Sequence, residues 1–168
     1  MEPYKLRRWR STSLSHVGQF FTCARPGRSK GARDHVPDDL VHQWVRGLPG
    51  DTHTVILSLL GRKHGQDGGS EFSFYSFCGP LDLSEERRRR PSFQEWLDRW
   101  HRKRCIQVLE HPTYDFRPVP TETLDTVASV IRSLLSEGRT VVVMDSGGET
   151  RTRQVCQHMG FVEDTRMA

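Results

Sequence analysis

Residues 140–152, TVVVMDSGGETRT, constrain this chain more than any other stretch. Thr140 to Met144 is an almost wholly apolar, β-branched run, the composition of a central strand covered on both faces. It breaks at Asp145 into Ser146, Gly147, Gly148, Glu149 and Thr150, and a helical pattern follows from about Arg151 to His158. A buried strand, a glycine loop and a helix, in that order, turn free backbone N–H groups and the positive end of a helix dipole toward an anion. Gly147 and Gly148 tolerate the positive φ angles that such a loop needs. Arg151, six positions after Asp145, has the reach to curl back and hold two oxygens of one phosphate. Ser146, Gly147, Gly148, Glu149, Thr150 and Arg151 are therefore the candidate phosphate-binding residues.

The rest of the chain alternates strand and helix patterns. Met1 to Thr12 are basic and turn-prone, and residues 1–16 are expected to form a loose basic arm. Val17 to Ala24 predicts a first strand, stopped by Arg25-Pro26-Gly27. Pro37 and Asp38 open a helix with an apolar stripe of Leu40, Val41, Trp44 and Val45, which Gly47 ends. Thr54 to Leu60 predicts a second buried strand, and Phe72, Phe74 and Phe77 a strand nearer an edge. Residues 79–104 read as an insertion with a basic helix: Arg87 to Arg90, then Phe93, Trp96, Leu97 and Trp100 on one helical face. Cys105 to Leu109 predicts a strand, followed by a proline-bounded loop from His111 to Pro120. Thr121 is expected to cap a helix that runs to about Glu137 and stops at Gly138. Strands alternating with helices define an α/β class with a mainly parallel sheet, in one domain over 17–168.

Composition excludes several classes. Among 168 residues, no apolar run approaches the ~20 needed to span a membrane, and the basic N-terminus lacks the apolar core of an export signal. A cytoplasmic protein without a membrane contact is the expectation. The four cysteines stand singly, so a disulfide frame is not indicated, and no cysteine–histidine spacing resembles a metal site. The net charge of +4 suits an anionic partner without requiring nucleic acid. Nucleic acid rests only on the arginine runs, with no stacking motif to support it. Glu149 reads equally as a solvated loop tip or as a charge that repels phosphate, and His111 and His158 as ordinary surface histidines. Arg117 reads as a loop flank before a ligand contact.

The loop resembles the signature of the cysteine-dependent protein-tyrosine and dual-specificity phosphatases: Cys, five residues, Arg, then Ser or Thr. Asp145 stands in the cysteine slot, Gly148 in the glycine slot, Arg151 is the arginine and Thr152 the hydroxyl residue. Met144 stands where a histidine is usual. The family's general-acid aspartate, on a loop before the penultimate helix, is matched by Asp115 in HPTYDFRPVP. CARPG, the DDL-x-x-x-W helix and VILSLL also look like small dual-specificity phosphatases. The resemblance covers residues 17–160, strongest in 105–155 and weakest in 61–104. It implies a phosphatase-like strand–loop–helix, with the usual C-terminal helices shortened. An uncovered apolar face there would favour a homodimer.

Aspartate in the cysteine slot replaces a soft thiolate by a hard, weaker nucleophile. Cys23, Cys78, Cys105 and Cys156 are not followed six residues later by arginine, so none takes over. The resemblance then implies a catalytically impaired pseudophosphatase that binds a phosphorylated protein or small anion, with no cofactor. A second reading is a hydrolase or phosphotransferase with Asp145 as nucleophile and Asp115 as general acid; Glu149 is the one further carboxylate for a metal. A third outcome is a loop filled by its own aspartate, which takes the loop N–H groups and pairs with Arg151.

Overall fold

A computed structural model of the chain describes residues 3–13, 15–27, 36–50, 53–61, 92–114 and 117–166. The expected strand around Phe72, Phe74 and Phe77, the arginines 87–90, Cys78 and Asp115 lie outside these residues.

The described strands are β1 (Arg7–Ser11), β2 (Gln19–Ala24), β3 (Thr54–Ser58), β4 (Gln107–Glu110), β5 (Thr140–Asp145) and β6 (Phe161–Glu163). They form one sheet in the order β4-β3-β5-β2-β1-β6. The first four of that order run parallel; β1 is antiparallel to β2, and β6 is antiparallel to β1. The helices are α1 (Asp38–Arg46), α2 (Phe93–Trp100), α3 (Thr121–Ser136) and α4 (Thr150–Met159), with a 3-10 turn at Arg102–Arg104. This is a single α/β domain with a mainly parallel sheet, as expected.

Alternation along the strands sorts the core into two layers. Phe21, Cys23, Ile56, Val142 and Met144 face Val41, Trp44 and Val45 of α1 and Phe93, Trp96 and Leu97 of α2. Phe20, Leu57, Val141 and Val143 face Val127, Ile131 and Leu135 of α3 and Val155, Cys156 and Met159 of α4. Each such buried side chain contributes about 1.5–3 kcal/mol of transfer free energy. The central strand β5 is covered on both sides, which holds Asp145 at its C-terminal end in a fixed place.

Several expectations are corrected. The loose arm over 1–16 contains β1: Trp9 is buried and donates from its indole N–H to Thr22 Oγ1 at 2.7 Å. Three arginines masked the strand, because only Trp9 of that segment points into the core. Val17 stands before β2 and is 82% exposed. Trp100, the last residue of α2, is 55% exposed and not on the buried face; its ring meets the edge of His42 and lies under the Arg99 guanidinium. Pro120, not Thr121, occupies the N-cap of α3, with no side-chain cap bond. The segment after α4 turns at Gly160 (φ 71°) into β6, which pairs with β1. No helix of the described residues is long and apolar enough to cross a membrane.

Candidate functional site

The loop 146–149 leaves the C-terminal end of β5 and enters α4. Its path is set by close packing on β2. Gly148 has φ 70°, and a Cβ there would lie 2.5 Å from Ala24 N and 2.8 Å from the Cys23 carbonyl carbon. Glycine is required on both counts. Arg25 N donates to Asp145 O at 2.9 Å, which extends the β2–β5 pairing to the edge of the loop.

Asp145 is 1% exposed, and its carboxylate fills the inside of the loop. Oδ1 accepts the N–H of Gly148; Oδ2 accepts those of Arg151 at 2.9 Å and Thr152 at 3.0 Å. Arg151 and Thr152 are the second and third residues of α4, whose first-turn N–H groups have no partner within the helix. The N-cap residue Glu149 makes no side-chain cap bond. Asp145, six residues upstream of Arg151, supplies that cap. Each hydrogen bond to a charged acceptor is worth about 1.5–3 kcal/mol.

Arg151 is 3% exposed, and its side chain runs toward β3. Its Nη1 donates to Leu59 O at 3.2 Å and to Thr113 Oγ1 at 3.1 Å. Thr113 in turn donates its hydroxyl to Leu59 O at 2.5 Å. The aspartate–arginine pairing of the self-filled alternative is thus replaced, among the described residues, by contacts from Asp145 to backbone N–H groups and from Arg151 to Leu59, just after β3, and to Thr113. A Cβ at Gly61 would collide with Thr113 O, so the two segments touch backbone to backbone. Gln154 of α4 accepts the N–H of Val119 at 2.8 Å, tying the helix to the far side of the loop that contains Asp115. Arg117 is exposed and lies over the Tyr114 ring at 5.5 Å.

Among the described residues, Thr152 Oγ1 is buried without a hydrogen-bond partner. Ser146 and Gly147 are half-buried at the loop rim, with open space over Gly147, and Thr150 is exposed. Glu149 pairs with Lys5 at 2.9 Å and Arg7 at 3.5 Å. The hydrogen bond from Lys5 is the main cause holding its carboxyl below the usual range, with the nearby positive charges adding to it. The neighbouring thiol is the reverse case. Cys23 is fully buried on β2, and desolvation first, then the Asp145 charge, push its pKa far above that of a free thiol. Burial raises Cys156 in the same way. Neither is a thiolate nucleophile. Among the described residues no cluster of three or more metal-ligating side chains occurs. His111 is half-buried in its loop, and His158 pairs with Asp125 at 2.7 Å on the surface.

Sequence reasoning missed Thr113, Leu59 O, Gly61, Lys5 and Arg7. None stands near residue 145 in the chain, and no local pattern marks a contact that is made across strands.

No protein-family model matches the sequence, and no curated protein matches it. Solved structures do match. A kinase associated phosphatase with serine in place of its catalytic-site cysteine is 15% identical, over 94% of this chain and 72% of that one, with a TM-score of 0.53. Tk-PTP in its active form is 20% identical over 86% of this chain and 69% of that one, with a TM-score of 0.42. A glycine-to-alanine form of Tk-PTP is 16% identical over 84% and 78%, with a TM-score of 0.41. The chain shares a phosphatase-like fold with the kinase associated phosphatase.

Proposed function

We propose that this chain is a phosphatase-fold binding protein that has lost cysteine-dependent catalysis, and that it engages phosphorylated or other anionic ligands at the rim of the 145–151 loop. The observation that carries the reading is the Asp145 carboxylate, which accepts N–H groups from Gly148, Arg151 and Thr152 inside the loop. Asp145 is assigned to the position of the family's nucleophile, Asp115 to that of its general acid, and Arg151 with Thr152 to the residues after the loop. A carboxylate held by three donors has most of its lone-pair sites committed, which disfavours attack on phosphorus. It also places a negative charge where a phosphate would sit; at ~4 Å two unit charges repel by ~4 kcal/mol at an effective dielectric near 20.

The rim supports anion binding better than the centre. Gly147 borders open space, and Ser146 beside it is half-buried. Glu149, read from the sequence as either a solvated loop tip or a charge that repels phosphate, has its charge offset by Lys5 and Arg7.

Hydrolysis of a small aryl phosphate by wild type, Asp145→Cys, Asp145→Ala and Arg151→Ala tests the reading. The wild type is expected to show no turnover above buffer, and Asp145→Cys to be the only variant that gains it. Turnover by the wild type that Asp145→Ala abolishes overturns the proposal in favour of aspartyl chemistry.

A further inference from the structure

A second basic site lies at the other end of the sheet. A groove of about 500 Å³ opens where β1, the 12–18 connection and the segment after β6 meet. Among the described residues its cationic lining is Arg8, Arg10 and Arg166 and its acidic lining is Asp164, a net charge of +2 from three positive groups and one negative. Asp164 is committed to Arg166, with its Oδ1 at 3.0 Å from Nε and its Oδ2 at 3.3 Å from Nη2, and it orients that guanidinium. Arg8 and Arg10 belong to no ion pair among the described residues. Ser13 and Ser15 line the same groove and are exposed, adding hydroxyl groups that donate as well as accept.

From this geometry we infer that the groove is a second anion site, which takes the phosphate group of a phosphorylated side chain. Planar guanidinium groups, two from β1 and one from the segment after β6, with hydroxyl groups on the same lining, match the three oxygens of a phosphomonoester dianion. The alternatives fit less well. Trp9 has its indole buried against Thr22, and the His16 ring is stacked on Phe161, so neither aromatic of the described lining stands free as a platform for a nucleobase. Val17 is the one exposed large apolar residue on its lining, too little to anchor a lipid surface. The groove is separated from the 145–151 loop by the length of β2, roughly 20 Å for six residues. It therefore does not depend on the loop's binding or catalysis.

Nuclear magnetic resonance titration of the full chain with inorganic phosphate, a phosphoserine peptide and its unphosphorylated counterpart tests this. The expected result is a set of shifts at Arg8, Arg10, Arg166 and residues 11–18, with the phosphopeptide at least tenfold tighter than its counterpart. The Arg8→Gln/Arg10→Gln double variant should lose at least tenfold in affinity at an unchanged melting temperature; Arg10→Gln alone, at an exposed position, should lose severalfold. Asp145→Ala should leave these shifts in place, so failure at the loop is read separately. Shifts by inorganic phosphate alone would place the site with the free ion and overturn the side-chain assignment. Silence of residues 8–18, or full affinity in the double variant, overturns the site itself.

Discussion

The two ends of the sheet treat charge in opposite ways. At the C-terminal end of β5, Asp145 is buried and its oxygens hold three backbone N–H groups. At the far end, Arg8 and Arg10 border an open groove without an ion pair among the described residues. Burial explains the difference. A charge removed from water costs several kcal/mol unless internal partners replace its hydration, and those partners then have little left for a ligand. A charge left in water needs no internal partner and stays available. The buried end is therefore rich in stability effects, and the open end in binding effects.

The largest test of that contrast is Gly148→Ala. Its Cβ would meet the backbone of Ala24 and Cys23, and its φ of 70° is unfavourable for alanine, so a loss of about 3 kcal/mol or more is expected in urea unfolding. A small effect would mean that the loop is free to move off β2. Asp145→Ala leaves three buried N–H groups without their acceptor while removing a buried charge; a net loss of about 2–3 kcal/mol is expected. Phosphate or tungstate should then raise the melting temperature of this variant more than that of the wild type, because the vacated loop admits an anion. Equal shifts in both proteins would argue against a self-filled loop.

Thr152→Val comes next. Its hydroxyl is buried without a partner, so replacing it with a methyl group should be neutral or stabilise by up to about 1 kcal/mol. Destabilisation beyond that would reveal a bond to the hydroxyl. Glu149→Gln removes a half-exposed ion pair and should cost only about 0.2–1 kcal/mol at neutral pH. The folded-state pKa of Glu149 is depressed, so the pair's stabilisation is present above the unfolded carboxyl pKa and lost as pH falls through the folded value. Wild type and variant should converge in acid, which a pH series of melting temperatures reads. Arg10→Gln should change stability least, within about 0.5 kcal/mol. A larger loss would show that the groove arginine is part of the packing.

Much of this arrangement was legible in the chain. The apolar run Thr140–Met144 became the central strand, and Leu40, Val41, Trp44 and Val45 the inward stripe of α1, because hydrophobic period follows backbone geometry. β1 was hidden because it places one large apolar residue, Trp9, among arginines, and its stability comes from neighbours on both sides. The tie of Arg151 to Leu59 and Thr113 was equally invisible, since 92 and 38 residues separate the partners.

The sequence alone determined the α/β class, the position of the strand–loop–helix, and the absence of a cysteine with arginine six residues on. These are local properties, set by side-chain period, glycine and spacing. Only the tertiary structure decided that Asp145 turns inward to the N–H groups of α4, that Arg151 spans to β3, and that Lys5 and Arg7 offset Glu149. Those outcomes depend on which donors and charges the strand order brings within a few ångströms, and no local stretch of the chain contains that information.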